Sequence, residues 1–163
     1  PLKIMESPDV ALIARALGIS QDAILLEAHA PVMATLGLAF TLTGLDCRDS
    51  LAAIQTDVSA FREGAATYPS GLDFAQFAYV REGDVIHARM FAPLDNMPED
   101  PATGSASATL GALLAQLSDQ DVTLRVHQGD DMGRPSVIGV TTDNGAVTIS
   151  GSACKTMEGR LVY

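Results

Sequence analysis

The feature that most limits what this chain can fold into is a run without a single charged side chain, from Pro101 to Ser118. If the run is helical, its leucines and several alanines cover nearly all sides of the helix; the leucines are Leu110, Leu113, Leu114 and Leu117. A helix that is apolar all round belongs in a protein interior. About 15 helical residues would span about 22 Å, the size of a domain core and shorter than a bilayer. The run therefore predicts a central, buried helix.

The start of this predicted helix allows two interpretations. Asp100 or Thr103 can cap it, with Pro101 in the first turn. Alternatively, the end is open, and its unpaired N–H groups and positive dipole bind an anion beside Thr103, Gly104 and Ser105. The helix exists on either interpretation, so the sequence alone leaves the choice open.

The rest of the chain mixes helices with adjacent hairpins. Residues 7–19 and 49–64 have the apolar spacing and end signals of helices. Strands are predicted within residues 32–43, 72–80, 84–93, 122–128, 136–143 and 146–155. Hairpin turns are expected at Gly83 and at Asn144-Gly145. This order favours an α+β fold with a mixed, largely antiparallel sheet over a regular βαβ array.

Composition restricts the partners and the cellular location. The 163 residues are enough for one core. They carry 20 acidic against 10 basic residues without a Lys/Arg cluster, which argues against nucleic acid and against an anionic membrane surface. The start of the chain lacks the pattern of a signal peptide. Cys47 and Cys154 have no metal or redox spacing, so we expect buried thiols in a reduced, cytoplasmic compartment.

Three segments together resemble a known family. They are RMFAPLDNMPEDPATGSASATLGALL, HQGDDMGRPS and ISGSACKTMEGRL, with the eight residues from Glu99 to Ala106 the most specific part. The sequence is similar to the second half of phenazine-biosynthesis PhzF-like proteins, which are relatives of diaminopimelate epimerase and proline racemase. Asn96-Met97 departs from the family, which more often has Gly and a branched apolar residue there.

The resemblance implies a fold and a site. Family members have two similar lobes, each a mixed sheet wrapped around a central helix, with the active site between them. Residues 1–163 would then be a single C-terminal lobe of the diaminopimelate epimerase-like type, without the N-terminal lobe. By resemblance, Gly104 and Ser105 bind a substrate carboxylate, Thr103 supports them, and Asp100 is the catalytic residue that orients the substrate or assists proton transfer.

The implied chemistry is cofactor-independent proton transfer at a carbon of a small carboxylate substrate, with no metal. The resemblance assigns the principal base to a glutamate of the first lobe, accompanied by a Gly-His pair. Neither first-lobe motif is found in this chain, and Glu27 with His29 is read as surface or connector. Paired cysteines, as in epimerase relatives, are not expected to act here because neither cysteine lies in the motif.

Other candidates have simpler explanations beside the functional ones. His87 and Arg89 alternate with apolar residues and share one strand face, which is either solvated or close to the cleft. The segment 128–136 is either a turn or a substrate contact. His127, at the end of a strand, has no metal-ligand pattern around it.

Two functions remain open from the sequence. The chain is either the C-terminal lobe of a PhzF-like isomerase or epimerase, completed by an N-terminal lobe, or a non-catalytic module that binds carboxylates or another protein. Whether this chain is itself an enzyme is left undecided. A missing lobe would leave apolar surface exposed, so a homodimer is a further expectation.

Overall fold

A computed structural model describes residues 1–162 as nine strands and four α-helices. The strands are β1 (Lys3–Ile4), β2 (Val32–Thr35), β3 (Ala39–Gly44), β4 (Gln76–Glu82), β5 (Val85–Ala92), β6 (Met97–Asp100), β7 (Thr123–Gln128), β8 (Ser136–Asp143) and β9 (Ala146–Ser150). The helices are α1 (Val10–Leu17), α2 (Arg48–Ala52), α3 (Val58–Thr67) and α4 (Gly104–Ser118). Two short 3-10 turns, Gln21–Ala23 and Pro93–Asp95, complete the described elements.

All nine strands form one sheet. Its order is β1-β2-β3-β4-β5-β7-β8-β9, with β6 paired to β5 beside that path. The pairs β3 with β4 and β5 with β7 are parallel, and the other pairs are antiparallel. The predicted α+β class with a mixed, largely antiparallel sheet is therefore confirmed.

Helix α4 lies against one face of this sheet and contacts strands from both of its ends, β2 and β3 as well as β8 and β9. Leu110, Leu113 and Leu114 are buried there with inward side chains of β2 to β5, β7 and β8. A Cβ on Gly111 would lie 2.5 Å from Cγ1 of Val140, so the missing side chain lets β8 approach the helix closely. The prediction of a central helix is confirmed, although Leu117 remains half exposed.

Helices α1 and α3 cover part of the other face and form a second apolar cluster with Ala78, Val80 and Phe91. Asp9 caps α1 by accepting hydrogen bonds from two backbone amides. Asp57 caps α3. As a result β4 and β5 are buried on both faces, which explains why their sequences are more apolar than simple alternation requires.

Two predicted elements differ from the structure. The helix predicted over residues 49–64 is two helices, because Asp57 starts α3 anew and the amides of Gln55 and Asp57 donate to carbonyls of α1. Residues 32–43 form a hairpin of two strands, since Thr35 accepts a hydrogen bond from the Gly37 amide and stabilises a turn. The hairpins predicted at Gly83 and at Asn144-Gly145 are confirmed.

The prediction that the two thiols are buried is wrong. Cys47 and Cys154 are both free and exposed; Cys47 directly precedes α2, and Cys154 lies in the segment after β9 that has no assigned helix or strand. The longest helix of the described chain is α4, with 15 residues, and within residues 1–162 none has the length and hydropathy of a bilayer-spanning segment.

Candidate functional site

The candidate site lies where β6 ends and α4 begins. Of the two interpretations of the helix start, the side-chain cap is not present: Thr103 occupies the capping position, but its side chain makes no capping hydrogen bond, and Asp100 is the last residue of β6. Pro101 precedes the helix instead of lying in its first turn. Within residues 1–162, no side chain accepts a hydrogen bond from the amides of Gly104 or Ser105. The helix therefore begins with free donors, and Ser105 is exposed.

Gln128, the last residue of β7, connects the parts of this site. Its Oε1 accepts a hydrogen bond from the Thr103 amide at 3.0 Å. Its Nε2 donates to the Asp100 carbonyl at 2.6 Å and to Thr103 Oγ1 at 2.8 Å. Gln128 is 1% exposed, so these bonds form away from water. This role was not identified from the sequence. The alternation of β7 puts Gln128 on the same inward face as Leu124 and Val126, and a polar residue on that face indicates a buried hydrogen-bonding role.

These bonds fix the direction of the Thr103 hydroxyl proton. Thr103 Oγ1 accepts from Gln128, so its own proton is donated to Asp100 Oδ2 at 2.6 Å. The Thr103 amide fixes the orientation of the Gln128 side chain, because only the oxygen of that side chain can accept this hydrogen bond. The Asp100 carboxylate is thus held in one orientation beside the free amides of α4.

A shallow groove of about 520 Å³ adjoins the start of α4. Its walls come from Gly104, Pro135 and Ser136 and from Ile149 and Ser150 of β9. Ser136 also donates to the Pro101 carbonyl at 2.7 Å, which ties the turn after β7 to the segment before α4. The structure therefore places the start of α4 beside segment 128–136.

The alternative of a solvated face for His87 and Arg89 is wrong. The Arg89 side chain is 10% exposed and forms an ion pair with Glu99 on the face opposite α4. The His87 side chain is 13% exposed, and its ring lies 5.4 Å from that of His127. Arg48 donates to His87 Nε2, so the proton of the neutral ring is on Nδ1. Nδ1 is buried, and among residues 1–162 no acceptor reaches it.

We expect acid to destabilise the fold through His87. Burial lowers the pKa of His87 below its ordinary value, and Arg48 and His127 add to this effect while Glu82 and Asp130 oppose it. The unfolded chain then binds this proton at a higher pH than the folded chain does. The His87 contribution is therefore complete above about pH 6.5 and is lost as the pH falls through the lower folded pKa.

The test is urea unfolding of the wild-type chain and of His87→Gln between about pH 7.5 and pH 5. The free energy of unfolding should fall less steeply with acid in the variant. Equal slopes in the two proteins would contradict the prediction.

The segment with Glu27 and His29 is a connector, as expected. Glu27 is exposed, whereas His29 attaches the segment to β4. His29 Nδ1 donates to the Ala30 carbonyl, so Nε2 accepts the Tyr79 hydroxyl at 2.7 Å. Burial raises the pKa of Tyr79 to about 12, which keeps this donor protonated at physiological pH. Nothing in this contact connects His29 to Asp100.

The described chain has no group of three or more His, Cys, Asp or Glu side chains arranged to hold a metal ion. At the candidate site, the groups available to a ligand are two free backbone amides, a hydroxyl and one carboxylate, of Gly104, Ser105 and Asp100. Such a set can bind an anion and place a carboxylate next to it.

Known proteins with similar sequences are isomerases by name. The chain is 29% identical to an uncharacterized isomerase of Mesorhizobium japonicum, over 99% of this chain and 57% of that protein. It is 33% identical to the uncharacterized isomerase YddE of Escherichia coli, over 91% of this chain and 53% of the relative. The chain thus spans about half the length of these curated relatives.

Solved structures share the fold. A phenazine biosynthesis protein of the PhzF family from Bacillus anthracis superposes with a TM-score of 0.74 at 18% identity, over 91% of this chain and 53% of that chain. A predicted epimerase from Pseudomonas aeruginosa gives 0.71 at 24% identity, over 92% of this chain and 52% of that chain. The family model described as phenazine biosynthesis-like protein, PhzC-PhzF, matches residues 2–159. This chain therefore belongs to the PhzC-PhzF family of phenazine biosynthesis-like proteins.

Proposed function

We propose that this chain is the carboxylate-binding lobe of a PhzF-like isomerase that moves a proton at a carbon of a small carboxylate substrate. The observation that carries the proposal is the uncapped start of α4 beside an oriented Asp100. Free amides at a helix start stabilise a negative charge through hydrogen bonds and the helix dipole. Gly104 and Ser105 would bind the carboxylate, with Thr103 as their support.

Asp100 would act next to the carboxylate. One of its oxygens, Oδ2, accepts the Thr103 hydroxyl, and Gln128 holds the backbone of the same residue. A carboxylate fixed in this way can orient the substrate or transfer a proton in the same catalytic cycle. The second acid-base group would come from another lobe, because this chain spans about half of its relatives. Proton transfer would therefore require both lobes.

The binding step is testable on this chain with formate and sulfate as probes. In a 15N-labelled sample, the amide signals of Gly104 and Ser105 should move as either anion is added. The amides of Ala11 and Leu12 provide an internal control, because Asp9 already accepts their hydrogen bonds. Their signals should stay in place.

Two variants at one position separate the amide from the side chain. Gly104→Pro removes one donor while keeping a residue suited to the first helical position, and it should weaken formate binding about tenfold or more. Gly104→Ala adds a Cβ near the flexible end of Ile149 but keeps the amide, so it should bind nearly as wild type. Equal affinities of the two variants, or no response at Gly104 and Ser105 in the wild type, would remove the carboxylate site.

A further inference from the structure

Arg89 of β5 is a buried arginine that joins two segments distant in sequence. Its guanidinium lies 4.9 Å from the centre of the Phe91 ring, on the sheet face opposite α4. On one side, Nη1 donates to the carbonyls of Leu51 and Ala52 at 3.1 Å and of Ile54 at 3.4 Å. In a continuous helix these carbonyls would accept intrahelical bonds, so Arg89 stabilises the end of α2.

On its other side the Arg89 guanidinium donates hydrogen bonds to both carboxylate oxygens of Glu99. Nε lies 2.8 Å from Oε1 and Nη2 lies 2.8 Å from Oε2. Two parallel bonds between planar groups fix the angle of the carboxylate as well as its distance. The Glu99 side chain is 16% exposed, and Asp131 Oδ2 lies 3.9 Å from the same Nε.

Strand β6 needs this support because its backbone pairing is irregular. Met90 pairs with Asp100 and Ala92 with Met97, so β6 has one residue more than β5 between the two pairs. An extra residue bends a strand and changes where the next side chain points. Glu99 lies inside this irregular stretch and directly precedes Asp100.

We propose that Arg89 is a positioning residue for Asp100, acting through its two bonds to Glu99. This inference rests on the proposed function, because Asp100 is the carboxylate whose placement matters there. Glu99 bonds to Arg89 on one face of the sheet, and Asp100 bonds to Thr103 at the start of α4, so holding Glu99 fixes the backbone from which the Asp100 side chain extends toward α4. A buried ion pair adds little net stability against an apolar replacement, whereas its fixed geometry does specify an orientation.

The experiment uses the 13C signal of the Asp100 side-chain carboxyl in this chain. Thr103→Val calibrates the measurement, because it removes the hydroxyl donor to Asp100. Glu99→Gln keeps the shape of the side chain and one acceptor for Arg89, but the other position becomes an NH2 facing Nη2. We expect this variant to displace the Asp100 signal at least half as far as Thr103→Val, while the amide signals of α2 stay in place.

A second variant and a matched control complete the test. Arg89→Lys replaces the planar fork by one ammonium and should displace the same signal, which provides the answer if Glu99→Gln does not fold. Glu63→Gln alters the exposed pair of Glu63 with Arg15, which also has two 2.8 Å contacts, and should leave Asp100 unchanged. An Asp100 signal that stays at its wild-type position in Glu99→Gln or in Arg89→Lys would overturn the inference.

The two proposals fail in different ways. Absence of a formate response at Gly104 and Ser105 in the wild-type chain removes the carboxylate site. The Asp100 signal is read without any anion, so it judges the Arg89 contact independently of that result.

Discussion

Gln128→Leu should lower the free energy of unfolding by about 3 kcal/mol and disorder the start of α4. The substitution leaves the buried Thr103 amide and the part-buried Asp100 carbonyl without their partner, and each such loss costs about 1 to 3 kcal/mol. Leucine fills a similar volume, so a cavity contributes little. Urea unfolding measures the free energy of unfolding, and the formate titration measures anion binding at the amides of Gly104 and Ser105. A loss below about 1 kcal/mol would show that these bonds matter little.

Gln128→Glu separates the hydrogen-bond pattern from the packing. One carboxylate oxygen can still accept from the Thr103 amide, but the other faces the Asp100 carbonyl where Nε2 was a donor. The Thr103 hydroxyl would then turn from Asp100 to the new carboxylate. We expect the Asp100 carboxyl signal to move in this variant, with a stability loss above about pH 7 at least as large as that of Gln128→Leu, because a buried carboxylate without a cationic partner costs more than an unpaired neutral group. An unchanged Asp100 signal would contradict the assigned proton direction.

Gly129→Ala should be the most damaging single-methyl change near the site. Gly129 has φ of +83°, and an added Cβ would lie 2.2 Å from the Arg134 carbonyl oxygen and 3.0 Å from that of Pro101. Both neighbours are backbone atoms that cannot rotate away. Overpacking costs about 1 to 3 kcal/mol, and a left-handed backbone for alanine adds about 1 kcal/mol or more. We expect a loss of about 3 kcal/mol in urea unfolding.

Gly133→Ala in the same turn is the matched control. Gly133 has φ of +70°, but its added Cβ would meet nothing within 4 Å. Only the backbone cost of about 1 kcal/mol applies. The Gly129 variant should also displace the Thr103 amide signal, because Gly129 follows Gln128 directly, whereas the Gly133 variant should not. Similar losses in the two variants would mean that the turn relaxes around the new methyl group.

The central helix and the mixed sheet were predictable because their signals are local. The uncharged run and helix α4 both end at Ser118. The Asn144-Gly145 turn connects β8 and β9, the last hairpin. The prediction of one helix over 49–64 failed because the groups that compete for its backbone hydrogen bonds are distant in the sequence. Arg89, 38 residues beyond Leu51, takes the carbonyl that a longer helix would need. Apolar spacing in a single segment contains no information on such a partner.

The sequence indicated candidate residues for the site but not the hydrogen bonds between them. The resemblance pointed to Asp100 and Thr103, and the structure places both at the start of α4. The side-chain cap is not formed because the Thr103 hydroxyl accepts from Gln128 and donates to Asp100, and a linear sequence does not reveal these partners. Arg89 looked solvated because alternation identifies a strand face without showing that helices cover it.

The central position of α4 also sets the order in which this chain can mature during synthesis. Strands made before α4 and strands made after it both pack on the helix, with β8 and β9 among its main contacts. The apolar surface of α4 therefore stays partly uncovered after synthesis of the helix until β8 and β9 have also been synthesised. Chains that stop before Ser136 would leave Leu110 and its neighbours open to solvent and to chaperones. Strands β5 and β7 pair although all of α4 lies between them in the sequence, and such non-local pairing slows folding.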